Sequence, residues 1–250
     1  MTGLRISGIS KTFGQFAALS GIDLEVRRGE RRAVIGPNGA GKSTLFAIIG
    51  GQTRPSAGRI EIDGVDVTGR PPQTLWRHGL TRTFQRNQLF PGLTVYENVR
   101  LACIAQRGLG ARMWTRIDRF PGLEDDVVAV LEQVRLEARR GALVLDLAYG
   151  EHRQLELALA LTGRPRYLLL DEPTAGMSPG ETESMISLLS SLPRDVTLLI
   201  VEHDMDVIFA LADSATVLHL GKVLAEGTPD AVQRDPRVVE VYLGQEGAPQ

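Results

Sequence analysis

The stretch Gly36-Pro37-Asn38-Gly39-Ala40-Gly41-Lys42-Ser43 constrains this chain more than any other part of it. It fits Gly-x-x-x-x-Gly-Lys-[Ser/Thr], the phosphate-binding loop of nucleoside triphosphatases. Glycines let backbone N–H groups turn inward around an anion. Lys42 is the residue that reaches the outer phosphates, and the Ser43 hydroxyl is placed for Mg²⁺. Lysine is otherwise found only at Lys11 and Lys222, so a chance coincidence of the pattern is improbable on composition alone. The flanks agree with the motif. Arg32 to Ile35 reads as a short buried strand, and Thr44 to Ile49 as the apolar start of a helix whose positive end faces the loop.

Three further apolar runs end, like this one, in a polar group. Leu80 to Phe84 ends in Gln85, Tyr167 to Leu170 in Asp171-Glu172, and Val196 to Val201 in Glu202-His203. Near-continuous apolar runs predict strands buried on both faces of a parallel sheet. In such sheets a ligand sits beyond the carboxyl ends of the strands, so the four polar ends are expected to converge on one phosphate site. Leu4 to Ile9 and Ile22 to Val26 alternate instead, and Gly58 to Gly64 reads as strand then turn, which predicts an antiparallel part beside the parallel one.

Between Gln85 and Arg166 the pattern turns helical. Thr94 to Gln106, Leu123 to Val134 and Glu151 to Leu161 read as helices, with breaks at Gly108 to Gly110 and Phe120-Pro121-Gly122. Pro179 to Leu192, Met205 to Leu211 and Pro236 to Leu243 are later helices, and Ala215 to Leu220 with Lys222 to Glu226 form a strand pair. The expected organisation is one domain over 1–250, with a core of 1–88 and 164–250 and a helical subdomain inserted at 89–163. Residues 246–250 read as a loose tail.

Composition excludes several classes. The chain has 250 residues, a net charge of −2 and a sequence pI near 6.1, so a basic nucleic-acid surface is not expected. The single cysteine, Cys103, leaves no intramolecular disulfide and fits a reducing cytosol. No run approaches the ~18 apolar residues of a membrane span, and the start lacks a signal-peptide pattern. A soluble protein is therefore expected, reaching any membrane through a partner.

The chemistry follows from residue type and place. Asp171 at a strand end can hold the Mg²⁺ shell, and the adjacent Glu172 can orient or deprotonate an attacking water. Gln85 can bridge Mg²⁺ and that water, and His203 can donate to the terminal phosphate. Phe13 is either a ring to stack on a purine or an edge-strand aromatic. Leu147 to Gln154 reads by itself as a loop and a helix start.

Taken in order, the phosphate loop, Gln85, a signature at 147–151, Leu168 to Glu172 and His203 resemble the nucleotide-binding subunit of an ABC transporter over essentially the whole chain. The resemblance implies an α/β P-loop NTPase fold with a mostly parallel core sheet, an antiparallel β subdomain and an inserted helical subdomain. It implies ATP and Mg²⁺ as ligands, Glu172 as general base, His203 at the γ-phosphate and Phe13 on adenine. It places Gly36 to Ser43 with Thr44 on one ATP, and Ala148, Tyr149, Gly150 and Glu151 on the ATP of a second ATPase subunit arranged head to tail, the same or a different chain. Ser43, Gln85 and Asp171 become the metal set. An integral membrane permease is the expected partner, docking near Leu89, Phe90, Leu93 and Tyr96, with a solute-binding protein indirectly involved and the chain held peripherally at the cytoplasmic face of the membrane.

A narrower resemblance, to the ATP-binding subunit of branched-chain amino-acid importers, lies in Thr174 to Pro179, Val201 to Asp206, Gly221 to Pro229, Asp235-Pro236 and Tyr242 to Gly244. Urea and amide importers are similar. An exporter ATPase and a non-transport ABC ATPase are the other readings, the latter without its usual coiled coils, zinc-ligating cysteines or second cassette here. A GTPase would need Asn-Lys-x-Asp, which does not occur. Two departures stand out. The family signature Leu-Ser-Gly-Gly-Gln has Ala148, Tyr149 and Glu151 at its Ser, first Gly and Gln, and Ser178 stands where an Asp is usual.

Overall fold

The computed structural model describes residues 3–83, 89–107 and 121–246. They fall into two compact units. One comprises Met1–Arg82, Arg166–Pro173 and Pro193–Gln250, and the other Thr83–Pro165 and Thr174–Leu192.

The first unit holds two sheets. Strands β1 (Gly3–Phe13), β2 (Phe16–Arg27), β4 (Ala57–Ile62) and β5 (Val65–Asp66) form an antiparallel sheet in the order β2-β1-β4-β5. Both long strands run beyond the alternating stretches seen in the sequence. The β1–β2 register shifts between Ile6 and Ile9 and again on either side of Lys11, and such bulges break the period-two signal without ending the strand.

Strands β3 (Arg31–Ile35), β6 (Leu80–Arg82), β7 (Tyr167–Asp171), β8 (Thr197–Val201), β9 (Ser214–His219) and β10 (Lys222–Gly227) form the second sheet, in the order β10-β9-β3-β8-β7-β6. Every pairing is parallel except β9 with β10.

Strand β3 explains the apolar runs. Val34 packs into a core shared with both sheets and with Leu45, Phe46, Ile48 and Ile49 of helix α1 (Lys42–Ile49). Ala33 and Ile35 point the other way, into a cluster with Ile208 of α7 (Met205–Leu211), Val232 of α8 (Pro229–Gln233) and Val238 of α9 (Pro236–Glu246). From Ala33 to Ile35 alternate residues thus serve two cores, which is why this part of the strand is wholly apolar. Helices α8 and α2 (Pro72–Arg77) were not anticipated. Each opens on a proline that presets the first turn, and each is too short to show a helical period.

The second unit packs α3 (Val95–Gln106), α4 (Leu123–Gln133), α5 (Tyr149–Leu161) and α6 (Pro179–Ser191). Thr94 and Glu97 close a reciprocal cap at the start of α3, which fixes where that helix begins. Cys103 is buried in α3, and burial pushes its thiol up to about 11, so it is an inert packing residue. Among the described residues no helix is long and apolar enough to cross a membrane.

One polar cluster ties the antiparallel sheet to the parallel one. Asp63, in a left-handed turn after β4, accepts from the buried Tyr167 hydroxyl at 2.7 Å and from Arg166 Nη1 at 2.5 Å. Burial, reinforced by Asp63, pushes the Tyr167 phenol far above the ordinary tyrosine range. Asp63→Ala strands a buried hydroxyl and puts a Cβ residue without a local hydrogen bond at positive φ, so it is expected to destabilise the chain by about 2–3 kcal/mol. Tyr167→Phe is expected to cost only about 1 kcal/mol. Denaturant midpoints at unchanged slope measure both.

Candidate nucleotide site

Three neighbouring strands bring the polar ends together. In the ladders Asp171 pairs with Val201 and Val201 with Val34, so these three lie on one row across β7, β8 and β3. The chain therefore leaves the sheet side by side as Glu172, as Glu202-His203, and as Ile35 leading into Gly36.

The loop between β3 and α1 is held from outside by packing. Gly36 has φ +144°, and a Cβ there would overlap the Leu218 carbonyl. Gly41 has φ +103°, and a Cβ there would come within 2.6 Å of Leu19 and 2.9 Å of the Ala18 carbonyl. Ala40 is buried, and its carbonyl accepts from Gly221 N–H at 3.1 Å. Asn38, Gly39 and Ser43 face solvent, Pro37 is buried and Thr44 half-buried. Among the described residues no side chain caps α1, so the N–H groups of its first turn can meet an incoming anion.

Lys42 Nζ donates to the carbonyls of Gly36 at 2.5 Å and Pro37 at 3.0 Å. Burial lowers its pKa from the ordinary lysine range, and the carboxylates of Glu172 and Asp171 act against that shift. The ammonium therefore sits in the field of both acids.

Asp171 is buried at the end of β7, where its Oδ2 accepts from Arg82 Nη2 at 2.6 Å. Glu172 is half-buried with φ +48°, a conformation that a residue with a Cβ adopts only under constraint, and its N–H is held by the Val201 carbonyl at 2.9 Å. His203 is exposed, with 67% of its side chain accessible. Its N–H donates to Oε2 of Glu202, a carboxylate that is 1% exposed beneath it. Gln85 lies outside the described residues.

Two residues that contact or pair with these candidates were not singled out in the sequence. Arg82 sits inside a run read as apolar, and a charge in a core strand is itself the signal for it. Phe16 pairs across the hairpin with Phe13, and the two are 66% and 53% exposed. Lys11 Nζ lies 4.9 Å from the Phe13 ring centroid. Both rings are exposed at the end of the β1–β2 ribbon, Phe13 with Lys11 over it.

Hard oxygen donors, Ser43 Oγ and the Asp171 carboxylate, suit Mg²⁺. Among the described residues no group of three or more His, Cys, Asp or Glu could hold a metal by itself.

In the second unit Ala148 precedes α5, and its N–H donates to Glu151 Oε2 at 2.9 Å. Alanine offers no acceptor in return, so only half a capping box forms. Arg139 Nε pairs with Glu151 at 2.9 Å. The Tyr149 hydroxyl donates to the Ala175 carbonyl at 2.9 Å and accepts from Arg153 at 2.9 Å. Gly150 N–H donates to Glu181 at 2.9 Å, and the same carboxyl group accepts from Ser178 N–H and Oγ at the start of α6. The signature segment is thus stapled to the loop 174–178. Phe90 and Leu145 are strongly exposed, Leu143 is exposed, and Leu89 and Leu93 are half-buried. The Tyr96 hydroxyl is engaged by Glu124.

The chain matches the sequence model of the ABC transporter family over residues 19–175, and that of the branched-chain amino acid ATP-binding cassette transporters over 222–248. It is 36% identical to the high-affinity branched-chain amino acid transport ATP-binding protein BraF of Pseudomonas aeruginosa, covering 97% of this chain and 98% of that one. It is 34% identical, with the same coverage, to the corresponding protein LivG of Escherichia coli. Among solved structures, the ADP conformation of an ATP-binding cassette of an ABC transporter superposes with a TM-score of 0.86 at 31% identity, covering 98% of this chain and 99% of that one. A dimeric cassette in a post-hydrolysis state with ADP and Pi superposes with a TM-score of 0.74 at 25% identity, covering 90% and 98%. The fold, with its antiparallel sheet and mostly parallel core sheet, is that of these cassettes, and the chain belongs to the ABC transporter family, in the branch of the branched-chain amino acid transport ATP-binding proteins.

Proposed function

We propose that this chain is the ATP-hydrolysing motor of an importer for branched-chain amino acids, working in a pair of cassettes on the cytoplasmic face of a membrane permease. The observation that carries the reading is the row Val34, Val201, Asp171, which sets the phosphate loop, Glu172 and Glu202-His203 at adjoining strand ends. Gly36 to Thr44 would cradle the phosphates, with Lys42 moving from its loop carbonyls to the outer phosphates. Ser43, Asp171 and Gln85 would hold Mg²⁺, which supplies charge neutralisation on the phosphate oxygens. Glu172 would take the proton of the attacking water, its strained backbone aiming the carboxylate. His203, buttressed by the buried Glu202, would donate to the terminal phosphate. Phe13 would stack on adenine, with Phe16 beside it as a second face.

Lys42→Ala removes a charge-assisted contact of ~1.5–3 kcal/mol and is expected to weaken ATP binding by about 10–100-fold. Glu172→Gln is expected to keep ATP affinity within about twofold and to lower turnover by at least about 100-fold. Equilibrium ATP binding measured beside steady-state ATPase separates the two. Collapse of affinity in Glu172→Gln contradicts the base assignment.

Ala148 lacks the hydroxyl that a signature serine would offer across the pair, and Tyr149 is committed to Ala175. This favours a heterodimer with unequal sites, in which this chain brings a full phosphate side to one ATP and a weaker signature to the other. Replacing Glu172 here, and the equivalent base in the partner, should then cost unequal amounts of ATPase. Equal losses refute the asymmetry.

The cargo reading rests on kinship, because this chain touches ATP and not the transported solute. Deleting the chain is expected to abolish uptake of labelled leucine, isoleucine and valine and to spare urea. Normal uptake of all three amino acids rejects it.

A further inference from the structure

Arg82 is a costly residue for its position. It is the last residue of β6 and pairs in the ladder with Leu169, so its side chain shares the face that carries Asp171 two residues on. The guanidinium is 8% exposed and the Asp171 carboxyl 2%. Nη2 donates to Asp171 at 2.6 Å and Nη1 to Gln52 Oε1 at 2.5 Å. Its Nε is buried with no hydrogen-bond partner among the described residues. Space for the stem is tight, since a Cβ on Gly50 would come within 3.1 Å of Arg82 Cδ. A strand needing only to be buried would be served better by an apolar side chain, because a buried ion pair rarely repays its desolvation. An incompletely satisfied guanidinium makes that reading weaker still. What it supplies is charge.

Two of the three acids at these strand ends have a cation close by. Lys42 feels the carboxylates of Glu172 and Asp171, and Arg82 is bonded to Asp171. A bare divalent ion entering beside Asp171 sets two further positive charges against Arg82 and Lys42. The same ion carried on a polyphosphate does not.

We propose that Arg82 is the resident counter-cation of Asp171, a positioning residue that holds the metal carboxylate in place and keeps it from binding a divalent ion unless nucleotide brings one. This rests on the assignment of Asp171 to the metal. Arg82 occupies Oδ2, so Oδ1 is the oxygen that would be offered to the ion. Loading is thereby ordered: the metal arrives on ATP, and it does not lodge beforehand at a site built from acids alone.

The test compares the full chain with Arg82→Met, Arg82→Lys, Asp171→Asn and the double variant Arg82→Met/Asp171→Asn, all without nucleotide. The readouts are the thermal midpoint in EDTA and in millimolar Mg²⁺, and Mn²⁺ binding followed by its spin resonance. The unaltered chain is expected to show the same midpoint in both buffers. Arg82→Met, with an uncompensated buried carboxylate, is expected to melt about 10 °C lower in EDTA and to regain at least about half of that in Mg²⁺. Its Mn²⁺ affinity is expected to be at least about tenfold tighter than that of the unaltered chain. Both effects should vanish in the double variant, and Arg82→Lys, which keeps the charge, should stay insensitive to metal.

If Arg82→Met is equally destabilised with and without Mg²⁺, or does not fold even when refolded in Mg²⁺, Arg82 is a structural bridge only and the proposal is overturned. The assignment it rests on is tested separately. If Asp171→Asn leaves the Mg²⁺ dependence of ATP affinity unchanged, Asp171 is not the metal carboxylate, whatever Arg82→Met does.

Discussion

The nucleotide end of this chain depends on the parallel register that sets Val34 opposite Val201 and Val201 opposite Asp171. A slip of one residue in β3, β7 or β8 would turn every side chain of that strand to the other face. Val34 would leave the core it shares with α1, and Ala33 and Ile35 would leave the one they share with α7, α8 and α9. The slip would also set Gly36, Glu172 and His203 at different heights above the sheet. Two buried faces therefore fix the height of the chemistry. Because no residue of β7 or β8 is exposed, the sheet has little freedom to move those groups.

On that fixed row the electrostatics are local and opposed. Lys42 is desolvated, which disfavours its charge, and two acids favour it. Asp171 is desolvated and is answered by Arg82. Glu172 is left half-buried in a left-handed turn. Of the two acids, the one bonded to a guanidinium is the one proposed as a static ligand, and the one without such a bond among the described residues is the one proposed for proton transfer. The two neighbours that the sequence presents as a simple pair thus differ in burial and in partner.

Much of this was legible in the residues. The phosphate loop and the double-faced strands were plain because glycine placement and unbroken apolar runs each have a single physical cause. The start of α3 could be placed because Thr94 and Glu97 make a local cap. Other features depend on non-local geometry. Bulges near Ile9 and Lys11 hid how far β1 and β2 extend, and α2 and α8 are too short to show a period. Arg82 was absorbed into a run counted as apolar, because its partner is 89 residues away in the chain. Phe16 gained meaning only through its pairing with Phe13. Ser178, read as a departure from the family, proves to start α6 with Glu181 as the acceptor of both its N–H and its hydroxyl, while Tyr149 has its own bond to the preceding loop.

On the proposed reading one copy is half of the working enzyme. The most direct measurement is the specific ATPase activity of the purified full chain against its own concentration, alone and with the partner cassette and permease. The account predicts activity per chain that falls toward zero on dilution and is restored by the partner. A specific activity that stays constant down to the most dilute samples would mean that a single chain completes its own site, and would contradict it.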